Sequence, residues 1–222
     1  MKSQKYYDIE YLSSQNSVAK DNIKTYKKFF SPHVTQEMTV LDYGCGAGVL
    51  LSVINCKYKI GVDINENALQ EAKKNGINEV HLNLNSLEPN SIDLIVSNSA
   101  LEHVPNPHQV LSDLYTILKP NGKIIFRLPH ETLGWSYKPG DWNYHLYTWS
   151  PMAIGNLFND VGFIKIDVKI EKGKKPPLFK FFRIIYLEQI ASYIYRIFRL
   201  VLDEFKIIRI GVDGYSIVSA QK

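Results

Sequence analysis

Three glycines at alternate positions, Gly44, Gly46 and Gly48, follow the apolar run Met38–Asp42 in the stretch Val40-Leu41-Asp42-Tyr43-Gly44-Cys45-Gly46-Ala47-Gly48. Glycine is needed where a backbone turns tightly and must let a ligand approach with no Cβ in the way. A helical pattern comes next, and a helix N-terminus offers unpaired N–H groups to a polar ligand. Asp63 stands at the end of the second apolar run, Tyr58–Ile64. At the end of a neighbouring strand, one carboxylate can accept both hydroxyls of a ribose. The spacing is not the dinucleotide fingerprint G-x-G-x-x-G, because the third glycine comes one residue early. No G-x-x-x-x-G-K-[ST] phosphate loop is present either. The residues point to the holding of a nucleoside.

Proton transfer needs a base, and the chain has 6 histidines to choose from. His33 and His81 read as surface or packing residues, and His108, after Pro107 in a helix first turn, as solvated. His103, His130 and His145 fall near strand ends. His145 lies in Asp141-Trp142-Asn143-Tyr144-His145-Leu146-Tyr147-Thr148-Trp149, an unusually aromatic stretch that Trp135 and Tyr137 precede. Aromatic walls stack on sugars and rings, and they also fill cores. Beside Gly134, Pro139 and Gly140, Trp135, Trp142, Tyr144 and Tyr147 read as a substrate wall. Tyr7, with Tyr6 and Tyr11, could fold over the same mouth.

Positioning these residues takes a particular kind of frame. Met38–Asp42 reads as a strand, Ala47–Asn55 as a helix and Tyr58–Ile64 as a second strand. Asn65 caps a helix that stops at Gly76, and Glu79–Asn83 and Ser91–Ser97 are the third and fourth strands. Pro107 opens a helix to Leu118, with Lys119–Gly122 as its stop and turn, and Lys123–Leu128 is the fifth strand. Ser150-Pro151 starts a further helix that ends at Gly162, before strands Phe163–Ile170 and Gly214–Ala220. Such alternation predicts an α/β fold with a mostly parallel sheet covered on both faces. Strands as continuously apolar as these are buried on both sides.

Composition narrows the class. A chain of 222 residues with 45% hydrophobic content suits one domain, 1–222, with a full core. Two cysteines, Cys45 and Cys56, make neither a disulfide framework nor a four-cysteine zinc site, so a reducing, cytoplasmic setting is expected. The start MKSQKYYDIEYL has no apolar core of a secretory signal, and the longest uncharged run, 142–159, is interrupted by Pro151 and Gly155. The formal charge is +4, but residues 165–209 hold 11 Lys/Arg against 5 Asp/Glu, a local +6 that leaves the remainder at −2. That distribution does not suit a nucleic-acid-binding face.

LDYGCGAG followed by GVDI resembles the first two motifs of class I S-adenosylmethionine-dependent methyltransferases. HLNLNSLEP, SIDLIVSNSALEHVPNP and LKPNGKIIFRLP are similar to that family's third, fourth and fifth strand motifs, in order, across roughly 36–170. The resemblance implies a Rossmann-like, doubly wound sheet of strand order 3-2-1-4-5-7-6 with the last strand antiparallel. It implies S-adenosylmethionine as cofactor, with Gly44, Cys45 and Gly46 lining its methionine part and Asp42 orienting its amino group. Asp63 would hold the ribose and Ile64 would pack on the adenine. Asn83, where many relatives have Asp, would accept from the adenine amino group, and Leu84 would offer a backbone N–H. Ser97 and Asn98, followed by Ser99, would end the fourth strand beside the reacting methyl.

The sulfonium carbon is already electrophilic, so the protein must align a nucleophile and remove its proton. His145 and His103 are the expected catalytic residues. Leu101-Glu102-His103-Val104 resembles a segment of ubiquinone-pathway and small-RNA 2′-O-methyltransferases in which Glu-x-x-Glu-His supplies metal ligands. Here Ser99 stands at the first glutamate position, and no metal is expected, Glu102 and His103 instead shaping the pocket floor. The helix-then-Gly-Phe pattern SPMAIGNLFNDVGF resembles the small-molecule branch, including enzymes of surface carbohydrates. The expected function is O-methylation of a hydroxyl on a carbohydrate or nucleotide-sugar type metabolite. The alternatives are N-methylation, methylation of a quinone-like phenol, or a non-catalytic subunit that binds the cofactor. Residues 1–35 read as an N-terminal helical cap and 129–150 as the aromatic substrate insert. Residues 174–210 read as a basic amphipathic helical insert suited to a homodimer contact, a peripheral membrane contact or the guiding of a phosphate-bearing substrate.

Overall fold

A computed structural model describes residues 22–130, 144–172 and 214–222, with Ala19 and Pro139. An N-terminal helix, α1 (Ile23–Phe29), precedes strand β1 (Thr39–Tyr43), a short helix α2 (Val49–Ser52) and β2 (Tyr58–Val62). Then come α3 (Glu66–Lys74), β3 (Glu79–His81), β4 (Ile92–Asn98), α4 (Pro107–Ile117) and β5 (Leu118–His130). After them stand α5 (Pro151–Val161), β6 (Ile164–Lys172) and β7 (Gly214–Gln221). The helix starts are chemically marked. Asn65 accepts the N–H groups of Asn67 and Ala68, Asn106 that of Gln109, and Ser150 that of Ala153. Pro107 and Pro151 occupy first-turn positions where a missing N–H costs nothing.

The seven strands form one sheet in the order β3-β2-β1-β4-β5-β7-β6, as expected. Pairs among β1 to β5 are parallel, and β7 runs antiparallel between β5 and β6. Alternate side chains of each strand feed two apolar layers. Leu41, Ile95, Ile124 and Phe126 pack under α4 and α5 with Leu111, Leu114 and Phe158. Val40, Leu94, Val96 and Ile125 pack on the other face with Tyr26, Phe30 and Leu51. Phe126 meets Phe158 edge-on, with ring centres 5.9 Å apart, and both are fully buried. Burying one such side chain contributes about 1.5–3 kcal/mol. The strand carboxyl ends are thereby fixed in space, and every residue singled out for chemistry near a strand end lies at that edge.

Three boundaries differ from expectation. Helix α2 is four residues rather than the run 47–55, because Gly44, Gly46 and Gly48 all take positive φ and carry the loop as far as residue 48. Strand β3 stops at His81, and Asn83 lies beyond it in a tight turn. The Lys119–Gly122 segment is not a break between elements. Leu118 already pairs with Ile92, and the ladder shifts register before Lys123 joins Leu94, with Asn121 at φ 64 in the irregularity. Most of the caps and inserts expected at 1–35 and 129–150, and all of 174–210, lie outside the described residues. Among the described residues no helix is long and apolar enough to cross a membrane.

Candidate active site

The glycine loop is held from below. Gly44 and Cys45 both donate their N–H groups to the Val62 carbonyl, at 2.8 and 3.0 Å. The Gly46 N–H goes to Asp63 Oδ2 at 2.8 Å, and the Gly48 N–H to Cys45 O. The N–H groups of Gly44, Cys45, Gly46 and Gly48 are thereby taken up within the fold. The loop is tight at its inner wall: a Cβ on Gly44 would stand 2.4 Å from Ala100 Cβ, and φ there is +75°. Asp63 Oδ1 accepts from the Asn65 N–H at 2.9 Å, so one carboxylate ties the loop to the start of α3. Each oxygen keeps a second lone pair for a ribose hydroxyl.

Asp42 lies at the floor of this loop, buried, and its Oδ1 has no hydrogen-bond partner among the described residues. Burial drives its carboxyl well above the usual carboxylate range, and the charge of Asp63 adds to the rise. A buried acceptor left open needs a donor from a ligand, and the ammonium of S-adenosylmethionine supplies one. Residues and group fit. The same burial raises Asp63, against the pull of its backbone hydrogen bonds. A raised carboxyl favours the fold in its protonated form, and that contribution is lost as pH rises through the folded value. An ammonium beside Asp42 offsets the loss by stabilising the ionised form, so ligand binding drives a proton off. The thermal stabilisation given by saturating S-adenosylhomocysteine should accordingly be larger at mildly alkaline than at mildly acidic pH. A shift that is flat or reversed would remove Asp42 from the ammonium.

The residues expected at the adenine lie in three settings. Ile64 is 59% exposed at the edge of the loop and presents an open apolar face, while Leu84 belongs to the core. Asn83 Oδ1 accepts from the Asn85 N–H at 3.0 Å, which shapes its turn and leaves one lone pair.

At the end of β4 the expected residues divide. Ser97 is fully buried and gives its hydroxyl to Tyr43 O at 2.7 Å, bracing β1 against β4. Asn98 Oδ1 accepts from Arg127 Nη1 at 3.0 Å. Ser99 takes φ 56° and donates its N–H to Arg127 O, a strained conformation held by its surroundings. The chain then makes a 3₁₀ turn, Leu101–His103. The Glu102 carbonyl accepts the N–H groups of both Leu146 and Tyr147, at 2.9 and 3.2 Å. That clamp brings His145 to His103, edge to face, with ring centres 4.9 Å apart.

Glu102 is 0% exposed, and its Oε1 lies 3.9 Å from His103 Nε2. One ligating atom from each of Glu102, His103 and His145 lies within 4.8 Å of the others, a set that could hold a metal ion. Two imidazoles with one carboxylate suit a borderline transition ion better than magnesium. His130 is set apart: its Nδ1 meets the Trp149 carbonyl at 3.1 Å, so that nitrogen carries the proton. His81 bonds Glu79 and Ser86 at β3, and His108 bonds Asp160 on the surface. Tyr147 stacks on Trp149 at 5.3 Å and donates its hydroxyl to Pro105 O, while Tyr144 is partly buried. Tyr7, Trp135 and Trp142 lie outside the described residues. Sequence spacing did not select Arg127.

Comparison with known proteins agrees with this geometry. The family described as "Methyltransferase domain" matches residues 15–168. A ubiquinone biosynthesis O-methyltransferase of Coxiella burnetii is 31% identical over 110 residues, covering 42% of this chain and 47% of its own. Its namesake from Saccharophagus degradans is 32% identical over 101 residues, covering 40% and 43%. The chain thus spans about half the length of these curated relatives. Among solved structures, a methyltransferase of Thermotoga maritima described as a "possible histamine N-methyltransferase" superimposes with TM-score 0.68 at 17% identity, over 98% of this chain and 97% of that one. Phosphoethanolamine N-methyltransferase 2 of Haemonchus contortus, solved with S-adenosyl-L-methionine, gives TM-score 0.60 at 19% identity, over 91% and 52%. At such identities the likeness is one of fold. With a match that runs from ahead of α1 into β6, on a sheet of this order, the chain belongs to the methyltransferase-domain family, whose methyl donor is S-adenosylmethionine.

Proposed function

We propose that the protein transfers the methyl group of S-adenosylmethionine to a hydroxyl oxygen of a small molecule, of carbohydrate or nucleotide-sugar type. The observation that carries this reading is the Glu102–His103–His145 cluster at the carboxyl edge of the sheet. An amine with a free lone pair needs only alignment, whereas a hydroxyl must lose a proton as it attacks. In the step, the oxygen–carbon bond forms as the sulfur–carbon bond breaks. The hydroxyl proton passes to an imidazole, and S-adenosylhomocysteine leaves. Asp42, Gly44 and Asp63 hold the cofactor, and His145 is the base, with His103 and Glu102 behind it. The names of the two curated relatives described above, both O-methyltransferases, support the oxygen as acceptor atom. The Tyr147–Trp149 stack and the aromatic insert suit the faces of a sugar or base.

The test is a panel of sugars, nucleotide-sugars, catechols and primary amines incubated with the full chain and S-adenosylmethionine, following S-adenosylhomocysteine. Turnover with hydroxyl compounds, led by the sugar class and rising with pH as a neutral base requires, is expected. Turnover with amines alone would overturn the reading. Cofactor binding without turnover on any acceptor would instead favour a non-catalytic subunit.

A further inference from the structure

Strand β5 carries a charge inside an apolar sheet. Ile124 and Phe126 face α4 and α5, and Ile125 and Arg127 alternate to the face under α1. Arg127 is 5% exposed. Its Nε donates to Glu171 Oε2 at 3.0 Å, its Nη1 donates to Asn98 Oδ1 at 3.0 Å, and its guanidinium lies 3.1 Å from the Tyr215 ring centre. Strand register explains the row: Asn98 is opposite Arg127, and Glu171 is opposite Tyr215, which pairs with Pro129, two residues on from Arg127. Glu171 neutralises the buried charge. The bond to Asn98 is not needed for neutrality, so its consequence lies elsewhere.

A guanidinium only donates. Asn98 must therefore turn its amide oxygen toward Arg127 and its amide nitrogen away, and that nitrogen sits 3.4 Å from Ser99 Oγ. Across the β1–β4 ladder Asp42 is level with Val96, which puts Asn98 level with Gly44, where the loop makes room for the methionine part of the cofactor. One face of the sheet edge thus presents an acceptor, Asp42, with an N–H₂ donor two residues further out on the adjacent strand. An ammonium and a carboxylate on one carbon have that polarity.

We propose that Arg127 is a positioning residue for the amino-acid end of S-adenosylmethionine: it fixes the Asn98 amide so that its N–H₂ meets the cofactor carboxylate. The inference rests on S-adenosylmethionine being the donor. Two probes separate it from a plain structural role. S-adenosylhomocysteine has the amino-acid end, and 5′-methylthioadenosine lacks it. In calorimetric titrations of the full chain, Arg127→Gln should lose roughly 10-fold or more in affinity for S-adenosylhomocysteine while 5′-methylthioadenosine binds within about twofold of wild type. Asn98→Ala should show the same selective loss, and Arg127→Gln added to it should cost nothing further. Removing Arg127 leaves Glu171 with the exposed Lys28, 3.9 Å from its Oε1, and that loss could unfold the single variant, so Arg127→Gln/Glu171→Gln is made beside it and should show the same selectivity. Equal losses on both probes, or additive losses with Asn98→Ala, would overturn the proposal. Failure of the wild-type protein to bind S-adenosylhomocysteine would instead overturn the choice of cofactor.

Discussion

Replacing Asp63 with alanine should weaken S-adenosylhomocysteine binding by at least about 100-fold, because two charge-assisted hydrogen bonds to the ribose are each worth roughly 1.5–3 kcal/mol. Asparagine at this position should be almost as damaging. Asp63 Oδ2 already accepts from the Gly46 N–H and Oδ1 from the Asn65 N–H. Whichever way an asparagine amide turns, its N–H₂ meets one of those donors, so the loop must move or the amide must swing out. The loss should appear as weaker binding, with little fall in the melting temperature of the ligand-free protein. The reason is electrostatic. Burial keeps the Asp63 carboxyl raised despite its hydrogen bonds, and its charge also lifts Asp42. Above the folded value the ionised group is a cost to the empty protein, and both variants remove that cost together with the hydrogen bonds. Titration calorimetry with S-adenosylhomocysteine and a thermal melt read the two effects separately. Asparagine binding within about threefold of wild type would show that the carboxylate does not carry the ribose.

What could be read from the chain before its fold was the local part of this arrangement. The glycines after β1, Asp63 after β2, the capping residues Asn65 and Ser150 and the alternation of apolar runs are all short-range signals, and they led to the loop and to a mostly parallel sheet, while the strand order came from the family resemblance. The errors came from long-range partners. Lys119-Pro120-Asn121-Gly122 has the composition of a stop, yet Ile92 on β4 captures Leu118 and keeps the ladder going past it. The bracing of the glycine loop was equally hidden: the Val62 carbonyl and the Asp63 carboxylate, at and just after the end of β2, take the N–H groups of Gly44, Cys45 and Gly46. Arg127 is a charge after the apolar run of KIIFRL, but its partners come from β4, β6 and β7, so no spacing rule could connect them. Glu102 was expected at the pocket floor on a resemblance, without its partners. Its burial and its grip on Leu146 and Tyr147 follow from a segment more than forty positions later folding back on it.

That grip sets up the second large effect. His145→Ala should lower kcat by roughly 10²–10⁴, the usual contribution of a positioned general base, with S-adenosylhomocysteine affinity unchanged. The residues proposed for the cofactor lie on or just after β1, β2 and β4, whereas the segment of His145 is held by the Glu102 carbonyl, so kcat and binding should separate cleanly. Glu102→Gln tests the electrostatics with little change in volume. A fully buried carboxylate 3.9 Å from His103, which itself meets His145 ring to ring, stabilises positive charge arriving on the pair when the hydroxyl proton is taken up. Its neutral replacement should therefore cost nearly as much as His145→Ala. Groups acting as one unit fail together, and the double variant should be little worse than either single one. Dialysis against a chelator distinguishes how the cluster works. Activity that survives assigns the proton to imidazole directly. Activity that is lost, and returns with zinc or manganese but not magnesium, makes the same three side chains metal ligands, as two nitrogens and one oxygen favour. A His145→Ala protein within about threefold of wild-type kcat, with an unchanged pH profile, would defeat both versions, since one takes the hydroxyl proton on that ring and the other holds the metal with it.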